Sequence, residues 1–342
     1  MIFLRAFAPF GMFVIGALTG LLLGVVLHEL GHYVGGRLTG YRFVSFRVLK
    51  WLWARGGHGK LKFTTSPGVV LGQCLMEPPD DEATFRFMLY NVGGVLANFI
   101  TAAACFVPML FVPRESIWWD FLLAWFVMNL VMGITNIVPI KKLTNDGANI
   151  QQARKSAQGK RALYIMLKAN AEMTKGRRQI DFDDDFFVFD GTPDVSNYLV
   201  AHIMLLRASQ LEEQGHYDPS YQILLRMERD PKLPVVISAQ LQLNLLYHEL
   251  VLFGDDEALV RGRARMAAQE NNKMFMQLLT AKAPAFLPYQ AMKSALLDGD
   301  TPKAQQLMEQ ARTLAPTMQN AGLEYSIELM LKRTEERMAQ QK

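Results

Sequence analysis

The stretch FGMFVIGALTGLLLGVVLHELGHYV, running from Phe10 to Val34, decides how this chain is read. A run of about 20 apolar residues is enough to span a bilayer, and Glu29 is the only formal charge in this one. Near its end stand His28 and His32. A helix turns once per roughly 3.6 residues, so two histidines four apart project from one face and can hold one zinc ion. Glu29, beside them, is the candidate general base. Ionisable groups at membrane depth are expensive and usually functional. The alternative, two core histidines and a buried carboxylate without a metal, leaves Glu29 unpaired in a poorly solvating environment. A cleaved secretory signal would have a shorter apolar core and a small-residue exit site, so the segment reads as retained.

Composition fits a membrane protein with a soluble part. Half of the residues are hydrophobic, yet mean hydropathy is only slightly positive, because the two halves differ. Residues 1–140 hold the long apolar runs and the tryptophans, whereas 141–342 have the charge density of a soluble helical protein. The net charge of +4 is spread along the chain without a basic face, which disfavours nucleic acid as a partner. Cys74 and Cys105 cannot build a disulfide framework and read as unpaired small residues.

Two further apolar segments, 87–112 and 117–140, follow the first, at about 10–36. Arg37, Arg42, Arg47, Lys50, Arg55, Lys60 and Lys62 crowd the loop after the first span, while the 113–116 loop balances Arg114 with Glu115. The positive-inside rule therefore places 35–86 and everything beyond 140 in the cytoplasm, against a weak opposing vote from Arg5. This topology brings Asp146, in Thr144-Asn145-Asp146-Gly147, to the membrane face nearest the histidines. Two histidines and a carboxylate are a recognised catalytic zinc set that leaves a fourth position for water. In isolation an Asn-Asp-Gly turn with no further role is the plainer reading of that segment, but joined to the histidine motif on the same side it reads as the third ligand.

Together these residues resemble the site-2 protease family of intramembrane zinc metalloproteases (M50-type). The resemblance covers roughly residues 10–150. It rests on His28-Glu29-Leu30-Gly31-His32 in one span, Gly94-Val95-Leu96-Ala97-Asn98 in a second, and Asn136-Ile137-Val138-Pro139 leading to Asn145-Asp146-Gly147 after a third. It implies one zinc ion per chain held by His28, His32 and Asp146, with Glu29 catalytic. It further implies that Asn98, with Gly94 and Asn136, positions the substrate or the catalytic water. The chain departs from the family at Val95, where proline is usual, and at Asn145, where leucine is common.

Such a site hydrolyses peptide bonds, with Glu29 taking a proton from water and returning it to the leaving amine. A lipid-embedded substrate helix must unwind first. Residues 41–51 and 60–65 alternate with β-propensity around a glycine-rich turn at 54–59, and read as a membrane-associated β-hairpin whose free edge accepts a substrate strand, or as a loop on the membrane surface. His58, in that turn, lacks a neighbouring ligand, and His248-Glu249 lacks a second histidine because Leu252 stands in its place.

Residues 151–194 read as an amphipathic, basic helix followed by the acidic connector Asp181 to Phe189. That helix either lies along the anionic inner leaflet or simply links two domains. Beyond 195, Gly215, Gly254 and Gly299 mark turns between apolar helices at intervals of roughly 40 residues, somewhat above the roughly 34 of a tetratricopeptide repeat. The expected fold is thus an α-helical membrane protein: a three-span metalloprotease core (1–150), a connector (151–194) and a cytoplasmic tetratricopeptide-like α-solenoid (195–342). A solenoid presents a surface for a protein or peptide partner. The expected function is zinc-dependent cleavage of single-span membrane proteins or hydrophobic peptide precursors in the cell (plasma or inner) membrane, with the repeats recruiting substrate or regulator. The alternative is a catalytically silent membrane scaffold acting through its repeats.

Overall fold

A computed structural model describes residues 2–55, 61–65, 71–139, 145–318 and 320–340. Among them the chain is mostly helical, with one small antiparallel sheet. It divides into two compact units, Met1–Trp53 with Val69–Arg154, and Ala54–Gly68 with Lys155–Lys342.

In the first unit α1 (Ile2–Leu38), α2 (Phe87–Met109) and α3 (Ile117–Ile137) pack against one another. Each is apolar over a bilayer length, and α3 begins where the Ser116 side chain accepts from the Trp118 N–H. Helices α1 and α2 cross at glycine: a side chain at Gly31 would strike the Gly93 carbonyl, and one at Gly93 would strike the Gly31 carbonyl. Small residues at such a crossing let two backbones approach closely. The histidine face of α1 is thereby pressed directly against α2.

The hairpin expected from residues 41–65 is instead part of a four-stranded sheet. Its strands β1 (Arg42–Val48), β2 (Trp51–Arg55), β3 (Leu61–Thr65) and β4 (Gly72–Glu77) lie in the order β3-β2-β1-β4. Leu49 takes the left-handed conformation, φ 53°, and breaks what reads as one continuous strand into β1 and β2. The added strand, β4, pairs antiparallel with β1 from Arg42 opposite Glu77 to Val48 opposite Gly72. Arg42 ties the end of that pair down, with ion pairs of 3.1 Å to Glu77 and 2.7 Å to Asp80. β4 is not legible in the sequence because Gly-Gln-Cys-Leu-Met-Glu neither alternates nor carries a β-branched residue. The turn at 56–59 with His58, and the expected end of the third span at Ile140, lie outside the described residues.

Helix α4 (Asp146–Lys155) closes the first unit. The second contains α5 (Ala157–Lys175), α6 (Tyr198–Glu213), α7 (Tyr217–Glu228), α8 (Val235–Tyr247), α9 (Asp256–Gln269), α10 (Lys273–Leu279), α11 (Leu287–Leu296), α12 (Thr301–Leu314) and α13 (Ala321–Gln340). The apolar face of α5, including Leu163, Ile165 and Leu167, is buried and packs with α6 and α13. It is therefore covered by protein. The acidic connector folds back as an aromatic knot in which Phe182, Phe187 and Phe189 are buried. Gly215, Gly254 and Gly299 all have positive φ and end helices of successive pairs, as the turn signals anticipate.

A fourth segment, Val235–Phe253, is also long and apolar enough to cross a membrane. Its burial sets it apart: 67% of its apolar window is buried, against 22%, 39% and 17% for the segments in α1, α2 and α3. Leu241 and Leu245 enter one hydrophobic cluster of the second unit, and Leu243, Leu246 and Leu250 another. Its last turns, His248–Phe253, widen to π-helical hydrogen bonding. Glu249 there is fully buried and held by Arg265 at 2.9 Å and by the Tyr221 hydroxyl at 2.9 Å.

Candidate metal centre

The i,i+4 spacing on α1 does what helical geometry requires. The His28 and His32 rings project from the same face of α1, nearly perpendicular to each other with centroids 4.7 Å apart, and their Nε2 atoms are separated by 3.1 Å. Both are buried. Their far nitrogens are fixed by α2: His28 Nδ1–H donates to Asn98 Oδ1 at 2.6 Å, and His32 Nδ1–H donates to the Tyr90 carbonyl at 2.7 Å. Tyr90, Gly94 and Asn98 follow one another at one-turn spacing on α2. The outer two orient the rings, and Gly94 between them leaves the space in front open. A methyl group at Gly94 would lie 2.6 Å from His32 Nε2 and 2.7 Å from His28 Nε2.

Asp146 arrives from the other side of the sequence, and its two neighbours deliver it. The Asn145 amide donates to the carbonyls of Thr135 at 2.8 Å and Val138 at 2.7 Å, tethering it to the end of α3. Its Oδ1 accepts from the Ala148 N–H at 2.8 Å, capping α4. Gly147 rests on the Ile137 carbonyl with no room for a side chain. Asp146 Oδ2 consequently lies 3.2 Å from His28 Nε2 and 3.3 Å from His32 Nε2. Asn145, which departs from the resembled family, is thus the anchor of the third donor.

These three atoms fit a metal ion. In neutral imidazoles that carry the proton on Nδ1, both Nε2 atoms present lone pairs, and the buried Asp146 Oδ2 has no hydrogen-bond donor among the described residues. Three lone-pair donors 3.1 to 3.3 Å apart repel one another unless a cation lies between them. In a tetrahedral zinc site with bonds of about 2.0–2.1 Å, ligand atoms stand about 3.3 Å apart, and catalytic sites leave the fourth corner free. Two imidazoles and a carboxylate are also the donor types zinc accepts.

Glu29 is buried on the same turn of α1. It accepts a hydrogen bond from the Cys74 N–H on β4, and its Oε1 lies so near Gly72 that any side chain there would collide with it. The Cys74 carbonyl accepts from the Tyr90 hydroxyl at 2.7 Å. β4 therefore runs alongside the candidate base, joined to α1 through Glu29 and to α2 through Tyr90.

Asn98 is completely buried and fully occupied, with its amide donating to the Gly24 carbonyl at 3.2 Å and to Asn129 Oδ1 at 3.0 Å. It stands behind His28, on the side away from the three converging donors, because its carbonyl is committed to the ring's far nitrogen. Asn136 donates to the Met132 carbonyl of its own helix at 3.0 Å. Sequence alone assigns no part in the site to Tyr90 or Asn129, and Cys74 reads there only as an unpaired small residue. Of these, Asn129 carries a legible signal, as an amide in the middle of an apolar span. Cys74 and Cys105 are free and buried. His248 is buried in the second unit, its Nδ1 at 3.0 Å from the Asn244 carbonyl, and is not part of this centre.

Comparison of the chain with family models, curated proteins and solved structures returned no match. The functional reading rests on the residues and their geometry.

Proposed function

We propose that this chain is an intramembrane zinc endopeptidase of the site-2 protease type. The observation that carries the reading is the convergence of His28, His32 and Asp146, from the first helix and the segment after the third, inside a bundle of apolar helices with Glu29 on the adjoining turn. When bound, zinc supplies a Lewis acid that polarises a peptide carbonyl and makes water acidic enough to react near neutrality. Glu29 accepts the water's proton on its carboxylate and returns it to the departing amine nitrogen. The walls made by α1, α2 and α3 keep bulk water from these groups. β4, the edge strand beside Glu29, is where an unwound substrate segment would be held.

We read three spans, those in α1, α2 and α3. The fourth apolar segment buries its surface among the helices of the second unit and pairs its own Glu249 with Arg265, which supports reading it as a core helix. With the basic 37–62 loop inside, the second unit is cytoplasmic, a tetratricopeptide-like helical domain that recruits substrate or a regulator. The substrates are single-span membrane proteins or hydrophobic peptide precursors of the cell membrane. The test compares wild type with Glu29→Gln in detergent or liposomes for bound zinc and for cleavage of labelled single-span peptides, with and without chelator. About one zinc in both proteins, with chelator-sensitive cutting by wild type alone, is the expected result. Absence of zinc from both would remove the reading.

A further inference from the structure

Behind His28 the structure holds a chain of buried amides that crosses all three helices of the first unit. Asn129 on α3 is fully buried, and its Nδ2 donates to the Trp125 carbonyl at 3.0 Å. Its Oδ1 faces Asn98 Nδ2 at 3.0 Å, which also donates to the Gly24 carbonyl of α1 at 3.2 Å. Asn98 Oδ1 is then 2.6 Å from His28 Nδ1. Gly24 sits at the meeting point, where a methyl group would come within 3.0 Å of Asn129 Oδ1.

Only one polarity satisfies this chain. The Trp125 carbonyl can only accept, so Asn129 must turn its nitrogen toward it and its oxygen toward Asn98. Asn98 must answer with its nitrogen, whose second hydrogen goes to the Gly24 carbonyl. Its oxygen is left for His28, whose Nδ1 must therefore carry the proton. A neutral imidazole protonated at Nδ1 keeps its lone pair on Nε2, the atom beside His32 and Asp146. Reversing either amide would set oxygen against oxygen between fully buried side chains.

We propose that Asn129 is a positioning residue of the metal centre, fixing the polarity of Asn98 and through it the tautomer and orientation of His28. The proposal rests on the zinc protease reading. Asn129 touches neither the metal ligands' donor atoms nor the substrate; it acts from the third helix through one intermediary. A backbone carbonyl at Tyr90 does the same for His32 without a relay. Partners of this kind around ligating histidines typically change metal affinity by about 10- to 100-fold.

The test measures zinc affinity of the full chain in detergent by competition with a chromogenic chelator, and the visible spectrum of the cobalt-loaded protein. Asn129→Leu is expected to weaken zinc binding by about 10-fold or more and to change the cobalt spectrum. In an Asn98→Ala background, where the relay is already cut, Asn129→Leu is expected to weaken binding no further. Thr19→Val, which removes another bond between α1 and α3, the 2.9 Å contact from Trp125 Nε1, should leave affinity unchanged. Should Asn129→Leu not fold, Asn129→Ser removes the amide without added bulk and gives the same measurement. Unchanged affinity in the Asn129 variants, or losses that simply add to that of Asn98→Ala, would overturn the proposal while leaving the protease reading intact. A wild type that takes up no zinc would overturn both.

Discussion

Gly94 and His32 stand so close across the α1–α2 contact that a single methyl group at position 94 would lie 2.6 Å from the imidazole's metal-facing nitrogen. Heavy atoms do not tolerate that separation, and α2 cannot retreat without breaking the Gly31–Gly93 crossing beside it. Gly94→Ala should therefore reduce bound zinc from about one per chain to near zero, with helical content by circular dichroism unchanged. Full zinc occupancy in that variant would mean that the space at Gly94 has another use.

Placement of Asp146 depends on its neighbours as much as on its own carboxylate. Asn145→Leu, which restores the residue common in the resembled family, removes two bonds to the end of α3 and the cap of α4. It should weaken zinc binding by about 10-fold, within the range for residues that orient ligands. Asp146→Asn, which removes the charged ligand itself, should cost considerably more. Chelator competition on the two purified variants would rank them, and the opposite ranking would count against Asp146 as a ligand.

In the helical unit, Arg265 holds Glu249 at 2.9 Å and Glu228 at 2.5 Å, and also bonds Gln242 at 2.6 Å. Among the described residues, its loss leaves Glu249, which is fully buried, with only the Tyr221 hydroxyl. Arg265→Ala should destabilise this unit by about 3–5 kcal/mol, the usual cost of stranding a buried charge. Arg265→Ala combined with Glu249→Leu should recover much of the loss. Thermal unfolding in detergent, followed by circular dichroism, gives both values.

Burial pushes the imidazole of His202, on α6, below the usual histidine value. The unfolded chain then binds a proton at about pH 6.5 that the folded chain resists. This group's contribution is therefore intact above pH 6.5 and is lost as pH falls toward the depressed folded value. His202→Gln should accordingly lose less thermal stability than wild type between pH 7 and pH 5. Parallel curves for the two proteins would show that His202 does not titrate differently on folding.

The i,i+4 histidines, the neighbouring glutamate and the apolar length around them are local properties, so sequence alone placed His28, Glu29 and His32 on one turn of an apolar helix. It also indicated Asp146, because a carboxylate at the near end of a later apolar helix has few places to go. Tertiary structure decided everything that depends on which backbone meets which. The carbonyl of Tyr90, the open space at Gly94 and the tether of Asn145 are contacts between distant segments, and no periodicity encodes them. The same holds for β4, whose pairing with β1 is set by long-range hydrogen bonds. Apolar length alone could not separate Val235–Phe253 from the helices of the first unit. Its greater burial, among the helices of the second unit, is what sets it apart, because hydrophobicity specifies removal from water and leaves open whether lipid or protein provides it.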